Sequence, residues 1–508
     1  MARRLAELLA NVEGIRFLSG RPELEVAEVT DDSRRVRPGD LFVAIPGTQQ
    51  DGRKFIDDAV AKGAAAVLTA DGGAKAEIAS RVPLILVPEP RRALGLLAAN
   101  RHRVAATLTL TAVTGTNGKT TTTYLVESIL NAAGRRCGVI GTVGYGFGGE
   151  VKEAQLTTPG ALELFANLAE MAQAGASDVV MEASSIALEQ ERLAGCRYRV
   201  AALTNVTQDH LDYHGTMERY FAAKSILFRE LMTSPGGVSV FFNDEEPGRA
   251  MRREASGPVL TLSRRDHDSD VVVLRRWLGP EGIRMRLGTP SGAIEIASPL
   301  VGEFNLSNIL TAVGIALGHG IAPAAIATGV ARVAGVAGRL EPVANEAGVL
   351  CVVDYAHTPD ALERALDVLR PLVKGRLICV FGCGGDRDRG KRPRMGEAVA
   401  LRADVAVVTS DNPRTEAPGA IIDMILEGVR HTDMQEHSAA ELGKGQSGYL
   451  VEPDRAVAIS RAVAMSHMGD VLLLAGKGHE DYQIIGTKKT HFDDRELAAA
   501  AFAARRGA

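Results

Sequence analysis

Cysteine is scarce in this sequence. Its five cysteines are scattered and odd in number, at Cys137, Cys196, Cys351, Cys379 and Cys383. Such a set argues against a disulfide framework and is typical of a reducing compartment. The last two could form half of a zinc site, but no second pair follows them at zinc-site spacing. We therefore expect a cytoplasmic protein without disulfides.

Long apolar runs and an excess of charge of one sign are also missing. No stretch approaches the roughly 20 apolar residues of a membrane span, and Glu7 and Glu13 interrupt a start that otherwise resembles a signal peptide. The 58 basic and 62 acidic residues leave a formal net charge of -4, which would gather neither nucleic acid nor anionic membrane. We expect no nucleic-acid binding and no membrane insertion, so local groups must hold any anionic ligand.

The length of 508 residues and the alternation of strand-like and helical segments predict about three α/β domains. The first, residues 1–107, mixes short strands with alanine-rich helices. The second, 108–336, has a parallel sheet of the phosphate-loop ATPase type and an antiparallel insertion between about 237 and 297. The third, 337–508, is doubly wound and Rossmann-like. The predicted strands lie at 40–45, 82–87, 109–113, 137–141, 178–182, 199–205, 271–277, 282–287, 293–296, 349–353, 376–381, 404–408 and 470–474, and the main helices at 120–134, 306–318, 359–370, 391–402, 418–429 and 454–467.

A glycine-rich loop lies between a predicted strand and helix, Thr114-Gly-Thr-Asn-Gly-Lys-Thr120. Backbone N–H groups and the helix N-terminus can cradle phosphate there. Lys119 would reach the terminal phosphates, and the Thr120 hydroxyl would hold Mg²⁺. The general motif has glycine where this chain has Val113, and Gly115 serves instead. The alternative is a glycine-rich turn that only opens a helix.

The loop 204–215 follows a predicted parallel strand, where ligands bind in this architecture. His210 within it could ligate a metal, or it could be a structural hydrogen-bonding residue. Glu182 ends another strand and would bring a carboxylate to the same edge.

Lys224 shares a helix face with apolar residues. It either snorkels along that surface or is buried, loses its proton and reacts with carbon dioxide.

Taken together with further motifs, these residues resemble the Mur ligases, the ATP-dependent synthetases of peptidoglycan precursors. Each motif is weak alone, but their joint order over nearly the whole chain is specific. The motifs are Asp32-Ser33 with Pro38-Gly-Asp-Leu-Phe-Val43, TGTNGKTTT from Thr114, TTP at 157–159, EASS at 182–185, DHLDYHG at 209–215 with AK at 223–224, GEFNLSN at 302–308, GRLE at 338–341, DYAHTPD at 354–360, FGCGGDRD at 381–388, DNPR at 411–414 and GKGHE at 476–480.

The resemblance implies a first domain that binds a uridine nucleotide, a central ATPase domain and a C-terminal domain that brings an amino acid. Within the family, the motifs fit best an enzyme that adds meso-2,6-diaminopimelate to UDP-N-acetylmuramoyl-L-alanyl-D-glutamate through an acyl phosphate made from ATP. Such an enzyme serves peptidoglycan synthesis, and through it cell shape and cell division. The implied cofactors are Mg²⁺ and a carbamate on Lys224, and a monomer is expected.

The resemblance also assigns site residues by motif. ATP contacts are implied at Gly115, Thr116, Asn117, Gly118, Lys119, Thr120, Thr121, Asn305, Asn308, Arg339 and Asp354. Precursor contacts are implied at Ser33, Thr48, Gln49, Gln50, Thr157, Thr158, Ser184, Gln190 and Arg192, and diaminopimelate contacts at Arg387, Asp411, Asn412, Pro413, Arg414, Gly476 and Glu480. The implied catalytic residues are Lys119, Lys224 and His210, and the implied metal ligands are Thr120, Glu182, His210 and carbamylated Lys224. The family often has histidine where this chain has Ile186, so a histidine role there stays open.

Diaminopimelate carries a second carboxylate beside its distal ammonium, so its pocket needs a cation and an anion. Arg414 could grip that carboxylate with two N–H donors, and Asp411 or Glu480 could accept from the ammonium. Asp-Asn-Pro is also ordinary turn chemistry.

Two other functions remain open. One is a related ligase, such as a folylpolyglutamate synthetase or a lysine-adding Mur ligase, which DNPR and the first domain disfavour. The other is a switch that only senses ATP.

Overall fold

A computed structural model describes residues 2–47, 51–71, 76–103, 107–154, 156–265, 268–279 and 281–505. The described strands form five sheets, three of which have five or more strands. Two compact units can be separated, one of Met1–Leu274, Leu287–Ile294 and Ser307–Val330, the other of Arg275–Arg286, Glu295–Leu306 and Ala331–Ala508. The predicted α/β class is confirmed. Thr48, Gln49 and Gln50 lie outside the described residues.

The N-terminal sheet has the strand order β2-β7-β6-β5-β4, in which β4 to β7 are parallel and β2 is antiparallel at the edge. Alternate side chains of one strand enter different cores, because successive residues point to opposite faces. Leu41 and Val43 pack with one helical layer, and Phe42 and Ala44 with another. The elements are β1 Arg3–Arg4, α1 Leu5–Leu8, β2 Arg16–Phe17, β3 Glu25–Val26, β4 Val29–Thr30, β5 Leu41–Ala44, α2 Ile56–Ala61, β6 Ala66–Thr69, α3 Ala76–Ala79, β7 Leu84–Leu86 and α4 Pro90–His102.

The central sheet has eleven strands in the order β11-β10-β9-β12-β8-β13-β14-β15-β16-β17-β18. Strands β9, β12, β8, β13, β14 and β15 are parallel, and β16 pairs parallel with β15. The elements are β8 Thr109–Thr114, α5 Lys119–Ala132, β9 Cys137–Ile140, β10 Tyr145–Phe147, β11 Glu150–Lys152, α6 Ala161–Gln173, β12 Asp178–Glu182, α7 Ser185–Glu189, β13 Tyr198–Leu203, α8 Leu211–His214, α9 Met217–Ile226, β14 Val238–Phe242, α10 Glu246–Glu254, β15 Val259–Ser263, β16 Val271–Gly279, β17 Gly282–Thr289, β18 Gly292–Ser298, α11 Glu303–Gly318 and α12 Pro323–Arg332.

Strand β8 lies between β12 and β13 in this sheet, so the chain reverses its direction across the sheet there. The loops after these three strands therefore meet at one edge, which is where ligands bind in open α/β sheets. This edge carries the phosphate loop, Glu182 and the loop from Thr204. The predicted convergence of these segments follows from the strand order.

The predicted antiparallel insertion between 237 and 297 is wrong in its first part. Strands β14 and β15 with helix α10 between them continue the parallel sheet. Their short apolar runs resemble any buried strand, so the residue pattern alone does not reveal their direction. Between residues 237 and 297, the strands whose connections are short enough to require antiparallel neighbours are β16, β17 and β18.

The C-terminal sheet has the order β19-β20-β24-β21-β22-β23, with β19 antiparallel and the rest parallel. Cys379 and Phe381 pack with α13, α14 and α15, whereas Ile378 and Val380 pack with α17 and α18. Helices thus cover both faces, and the predicted doubly wound fold is confirmed. The elements are β19 Glu341–Val343, β20 Leu350–Asp354, α13 Pro359–Leu369, β21 Leu377–Phe381, α14 Lys391–Ala400, β22 Val405–Val408, α15 Pro418–Arg430, α16 Ala439–Gly443, β23 Gly448–Val451, α17 Arg455–Met465, β24 Val471–Ala475, β25 Tyr482–Ile485, β26 Lys488–His491 and α18 Asp494–Arg505.

All five cysteines are buried and carry free thiols, so the expectation of a chain without disulfides is confirmed. Cys383 Sγ lies 3.4 Å from Met395 Sδ in the core. Among the described residues, every helix is too short or too polar to cross a membrane.

Candidate active-site residues

The phosphate loop between β8 and α5 needs glycine at two positions. Gly115 has a φ of +142° and Gly118 a φ of +83°, which L side chains rarely adopt. A Cβ at Gly115 would overlap Thr204 Oγ1, and a Cβ at Gly118 would overlap Asn308 Oδ1. Both glycines are therefore required by conformation and by space.

The start of the loop that follows β13 holds the phosphate loop in shape. The N–H groups of Thr116 and Asn117 donate to the carbonyl and side-chain oxygens of Asn205, at 2.9 and 3.0 Å. The Thr204 hydroxyl donates to the Asn117 carbonyl at 2.6 Å. Lys119 Nζ donates to the carbonyls of Gly115 and Thr116 at 3.0 and 2.9 Å. The protein itself orders the loop and lays the lysine along it.

Lys224 lies on α9 and is buried, with 1% of its surface exposed. Its Nζ donates to the Gly115 carbonyl at 3.0 Å and lies 4.2 Å from the centre of the Tyr220 ring. Burial lowers the pKa of Lys224 well below its usual value, and the nearby charge of Lys119 lowers it further. Of the two interpretations of this lysine, burial is confirmed and snorkelling is wrong. Residues 227–231 continue the same helix as a π-helical turn.

Glu182, at the end of β12, is buried and held by Thr142, a residue that no sequence motif indicated. Its Oε1 accepts from the Thr142 N–H at 2.8 Å and its Oε2 from the Thr142 hydroxyl at 3.1 Å. The Thr142 hydroxyl also lies 3.1 Å from that of Thr157. The Thr158 hydroxyl donates to the Glu182 carbonyl at 2.8 Å. Tertiary structure thus brings the TTP segment onto the end of β12.

Four of the predicted precursor contacts form one hydrogen-bonded chain. The Thr158 hydroxyl lies 3.2 Å from that of Ser184, which caps α7 by accepting from the N–H of Ala187. Arg192 donates to the Thr158 carbonyl at 3.0 Å and to Gln190 Oε1 at 2.7 Å. Through Thr158, this chain connects the Arg192 guanidinium and the Ser184 hydroxyl to the backbone of Glu182. Ser33, by contrast, is buried in the N-terminal domain, where its carbonyl accepts from Lys62 Nζ at 2.9 Å.

His210 and His214 differ in their surroundings. The His210 side chain is 48% exposed, with Nε2 3.6 Å from Asp209 Oδ2. His214 is buried, with Nε2 2.9 Å from the Ser185 hydroxyl and Nδ1 3.1 Å from Glu189 Oε2. Burial lowers the pKa of His214. Within the described part of the chain, no three His, Cys, Asp or Glu residues are grouped so that they could hold a metal ion.

In the second unit, the loops after β20, β21, β22 and β24 leave the same edge of the C-terminal sheet. The Gly385 N–H donates to the Asn412 carbonyl at 2.9 Å, and Arg414 Nη1 donates to the Gly385 carbonyl at 2.9 Å. The Asn412 amide donates to Glu480 Oε2 at 2.8 Å. The motifs FGCGGDRD, DNPR and GKGHE lie far apart in sequence and therefore meet here through tertiary structure. Pro413 and Gly476 are part of the backbone of the second and third of these motifs. Arg387 extends from the same loops and is exposed.

Lys477 is a site residue that was not predicted, although it stands inside GKGHE. Its side chain is fully buried, and Nζ lies 3.3 Å from Glu480 Oε2, 3.4 Å from Asn412 Oδ1 and 3.8 Å from Asp411 Oδ1. The pKa of Glu480 is raised by burial and then by the charge of Asp411, which Lys477 opposes. The two predicted acceptors for a substrate ammonium therefore share an ammonium of the protein.

Arg339 and Asp354 lie close together at the end of β20. The Leu340 N–H donates to Asp354 Oδ2 at 2.8 Å. Burial raises the pKa of Asp354, and the charge of Arg339 acts against that shift. The Arg339 guanidinium lies 5.9 Å from the centre of the Tyr355 ring. In helix α11 the predicted adenine-side residues Asn305 and Asn308 are both buried, and Asn305 Nδ2 donates to the Val301 carbonyl at 2.8 Å.

Comparison with known proteins agrees with this arrangement. Family models match three segments, described as Mur ligase family, catalytic domain (residues 25–102), Mur ligase middle domain (113–316) and Mur ligase, glutamate ligase domain (338–478). A UDP-N-acetylmuramoyl-L-alanyl-D-glutamate–2,6-diaminopimelate ligase of Gloeobacter violaceus is 46% identical over 99% of both chains, and one of Geobacter metallireducens is 44% identical over 98% of both. A solved structure of a ligase of that name superposes with a TM-score of 0.73 over 100% of both chains at 33% identity. The chain therefore belongs to the Mur ligase family.

Proposed function

We propose that this chain is the ATP-dependent ligase that joins meso-2,6-diaminopimelate to UDP-N-acetylmuramoyl-L-alanyl-D-glutamate, releasing ADP and phosphate. The observation that carries the proposal is the convergence at one sheet edge of the phosphate loop, Glu182 and the Thr158–Ser184–Arg192 chain. Relatives that bear the name of this activity match 98–99% of the chain at 44–46% identity.

The division into domains 1–107, 108–336 and 337–508 is part of the proposal. It is supported by three large sheets whose strands lie within these three ranges. It is also supported by the three separate segments that the family models match. We assign the uridine nucleotide to the first domain, ATP to the second and the amino acid to the third.

ATP would activate the terminal carboxylate of the precursor, which is a poor electrophile at neutral pH. The carboxylate attacks the γ-phosphorus, the bond to the ADP oxygen breaks, and an acyl phosphate forms. Asn205 already accepts hydrogen bonds from the N–H groups of Thr116 and Asn117. The backbone N–H groups that contact phosphate would therefore be those at the end of the loop where α5 begins. Lys119 would exchange two neutral carbonyl acceptors for phosphate oxygens, which form stronger, charge-assisted bonds.

We further propose that this sheet edge holds Mg²⁺, an ion that prefers oxygen ligands. The Thr120 hydroxyl and the Glu182 carboxylate would supply two of them, with Thr142 orienting Glu182. A carbamate on Lys224 would supply another oxygen, and His210 would add a nitrogen ligand. The Mg²⁺ would offset phosphate charge during transfer. Support for the carbamate comes from the burial of Lys224, because its lowered pKa favours the neutral amine that attacks carbon dioxide and then loses a proton.

The amino acid then attacks the acyl carbon with its amine, the tetrahedral intermediate collapses, and phosphate leaves. We assign its distal carboxylate to Arg414, assisted by Arg387, and its distal ammonium to Asp411 and Glu480. The support is that hydrogen bonds join the backbone and side chains of these motifs at one sheet edge. Arg339 and Asp354 complete the proposed nucleotide contacts, and the protein is proposed to act as a cytoplasmic monomer.

ADP release across a matrix of substrates tests the proposed function. The purified chain is given ATP with the precursor, with diaminopimelate, with both, and with L-lysine in place of diaminopimelate. We expect release only when precursor and diaminopimelate are both present. Release with ATP alone, unaffected by either substrate, would instead identify a nucleotide switch. Release with L-lysine in preference to diaminopimelate would identify a different ligase of the family.

A further inference from the structure

We propose that Lys477 is a positioning residue for the amino-acid substrate, whose buried ammonium holds the carboxylate of Glu480 in place and balances its charge against Asp411. The inference rests on the proposed function, because it assumes that this cluster receives the distal ammonium of diaminopimelate. It adds to the site a residue that contacts the proposed substrate-binding side chains of Asp411 and Glu480 and acts through them.

Both polar and aromatic neighbours locate the ammonium. Nζ is within 3.4 Å of oxygens of Glu480 and Asn412, and 3.8 Å from Asp411 Oδ1. It also lies 5.5 Å from the centre of the Tyr482 ring and 5.9 Å from that of Phe492, within reach of cation–π attraction. The lysine is therefore confined from several sides. Asn412 and Lys477 both donate to Glu480 Oε2, so its other oxygen, Oε1, accepts from neither.

The charge of the cluster suits a cationic ligand group. Two carboxylates and one ammonium carry one net negative charge, which matches one incoming ammonium. Without Lys477 the two carboxylates would repel each other in a poorly solvated site, and one of them would take up a proton. The lysine therefore lets both side chains act as acceptors.

A purely structural ion pair in the same domain looks different. Arg455 and Asp494 form a one-to-one pair with an N–O distance of 2.6 Å, and both side chains are 0% exposed. Lys477 faces two acids at longer distances, and the side chains of Asp411 and Glu480 remain 12% and 16% exposed. The carboxylates of Asp411 and Glu480 thus remain partly exposed, as a ligand site requires. The Arg455–Asp494 pair is not exposed.

The test compares Lys477→Met with Lys489→Met as a matched control. Lys489 is exposed, and its Nζ lies 3.6 Å from the centre of the same Tyr482 ring. ADP release is measured for both variants between about pH 6 and 9, with each substrate varied in turn. For Lys477→Met we expect KM for diaminopimelate to rise by roughly tenfold or more, with KM for ATP and for the precursor near that of the unmodified chain. Lys489→Met should change none of these values.

The pH profile separates positioning from simple destabilisation. Lys477 opposes the upward shift in the pKa of Glu480. Its removal should raise that pKa further, so KM of Lys477→Met should worsen as pH falls, beginning at a higher pH than in the unmodified chain. In Lys477→Met/Glu480→Gln, residue 480 no longer titrates, so this step should disappear while KM stays high. The double variant also removes one of the two carboxylate charges that Lys477 faces and serves as the test if the single variant does not fold.

Equal loss in KM for all three substrates, an unchanged KM for diaminopimelate, or failure of both variants to fold would overturn the inference. Failure of the proposed function has a different signature. In that case the unmodified chain itself shows no diaminopimelate-dependent ADP release, whatever the variants do.

Discussion

Replacing Gly118 by alanine should separate two reasons why the phosphate loop requires glycine there, the positive φ and the lack of space for a Cβ. Gly118 has a φ of +83°, and a Cβ there would overlap Asn308 Oδ1. Gly134, just beyond the other end of α5, has a φ of +78° but nothing within 4 Å of an added Cβ. Gly134→Ala is therefore a matched control that introduces backbone strain without a clash.

Backbone strain alone destabilises either variant by about 1–2 kcal/mol, because L residues disfavour a positive φ. At Gly118 the loop or the Asn308 amide must also move to relieve the overlap. A displacement of about 1 Å in a group that positions substrate can lower the rate about 100-fold, which corresponds to about 2.7 kcal/mol. We therefore expect Gly118→Ala to lose about 100-fold in kcat/KM for ATP, and Gly134→Ala to lose stability with turnover unchanged.

Thermal unfolding and ADP release measure the two effects separately. The variant Gly118→Ala/Asn308→Ala removes the overlapping amide and serves as a second control. If the steric argument holds, it folds but still lacks an amide beside the loop, so recovery is partial. Equal kcat/KM for ATP in Gly118→Ala and Gly134→Ala would refute the reasoning, since strain alone would then account for both.

Four further predictions concern three charged side chains, Lys119, Lys224 and Arg414. Lys119→Ala should abolish ATP turnover but leave the circular dichroism spectrum unchanged, because the ammonium binds loop carbonyls and not the core; near-normal turnover by the folded variant would remove Lys119 from the mechanism. Lys224→Ala should be nearly inactive and partly restored by short carboxylic acids, which can refill the ligand position. Because burial lowers the pKa of Lys224, the folded state disfavours its proton. In buffer free of carbon dioxide, Lys224→Met should therefore be more stable than the unmodified chain near neutral pH, with the gain shrinking as pH rises towards the ordinary lysine pKa of about 10.5; a gain that grows with pH would contradict this. The unmodified chain should prefer meso-diaminopimelate to L-lysine by about 10⁴ in kcat/KM, because lysine leaves Arg414 unpaired, and Arg414→Ala should lose that preference; equal values in the unmodified chain would show the assignment to be wrong.

Residue pattern predicts seven of the eleven strands of the central sheet and four of the six strands of the C-terminal sheet, and β12 with its observed bounds, Asp178–Glu182. The hairpin β25–β26 and helix α18 were not predicted. The hairpin is largely exposed and carries Lys488 and Lys489, so it lacks the apolar alternation that marks a half-buried strand. The residue pattern also does not show whether β14 and β15 run parallel to their neighbours, because buried strands of either direction have similar apolar sequences.

The sequence by itself determined the α/β class, the phosphate loop with its lysine, and the family, because these reside in local periodicity and in the order of short motifs. Tertiary structure alone decided which groups touch. Lys224 reaches the Gly115 carbonyl across 109 residues of chain, Glu182 meets Thr142 across 40, and Lys477 meets Asn412 across 65. These contacts depend on β8 lying between β12 and β13, and on β24 lying between β20 and β21. Strand order is set by the packing of whole elements, so no local pattern of residues encodes it.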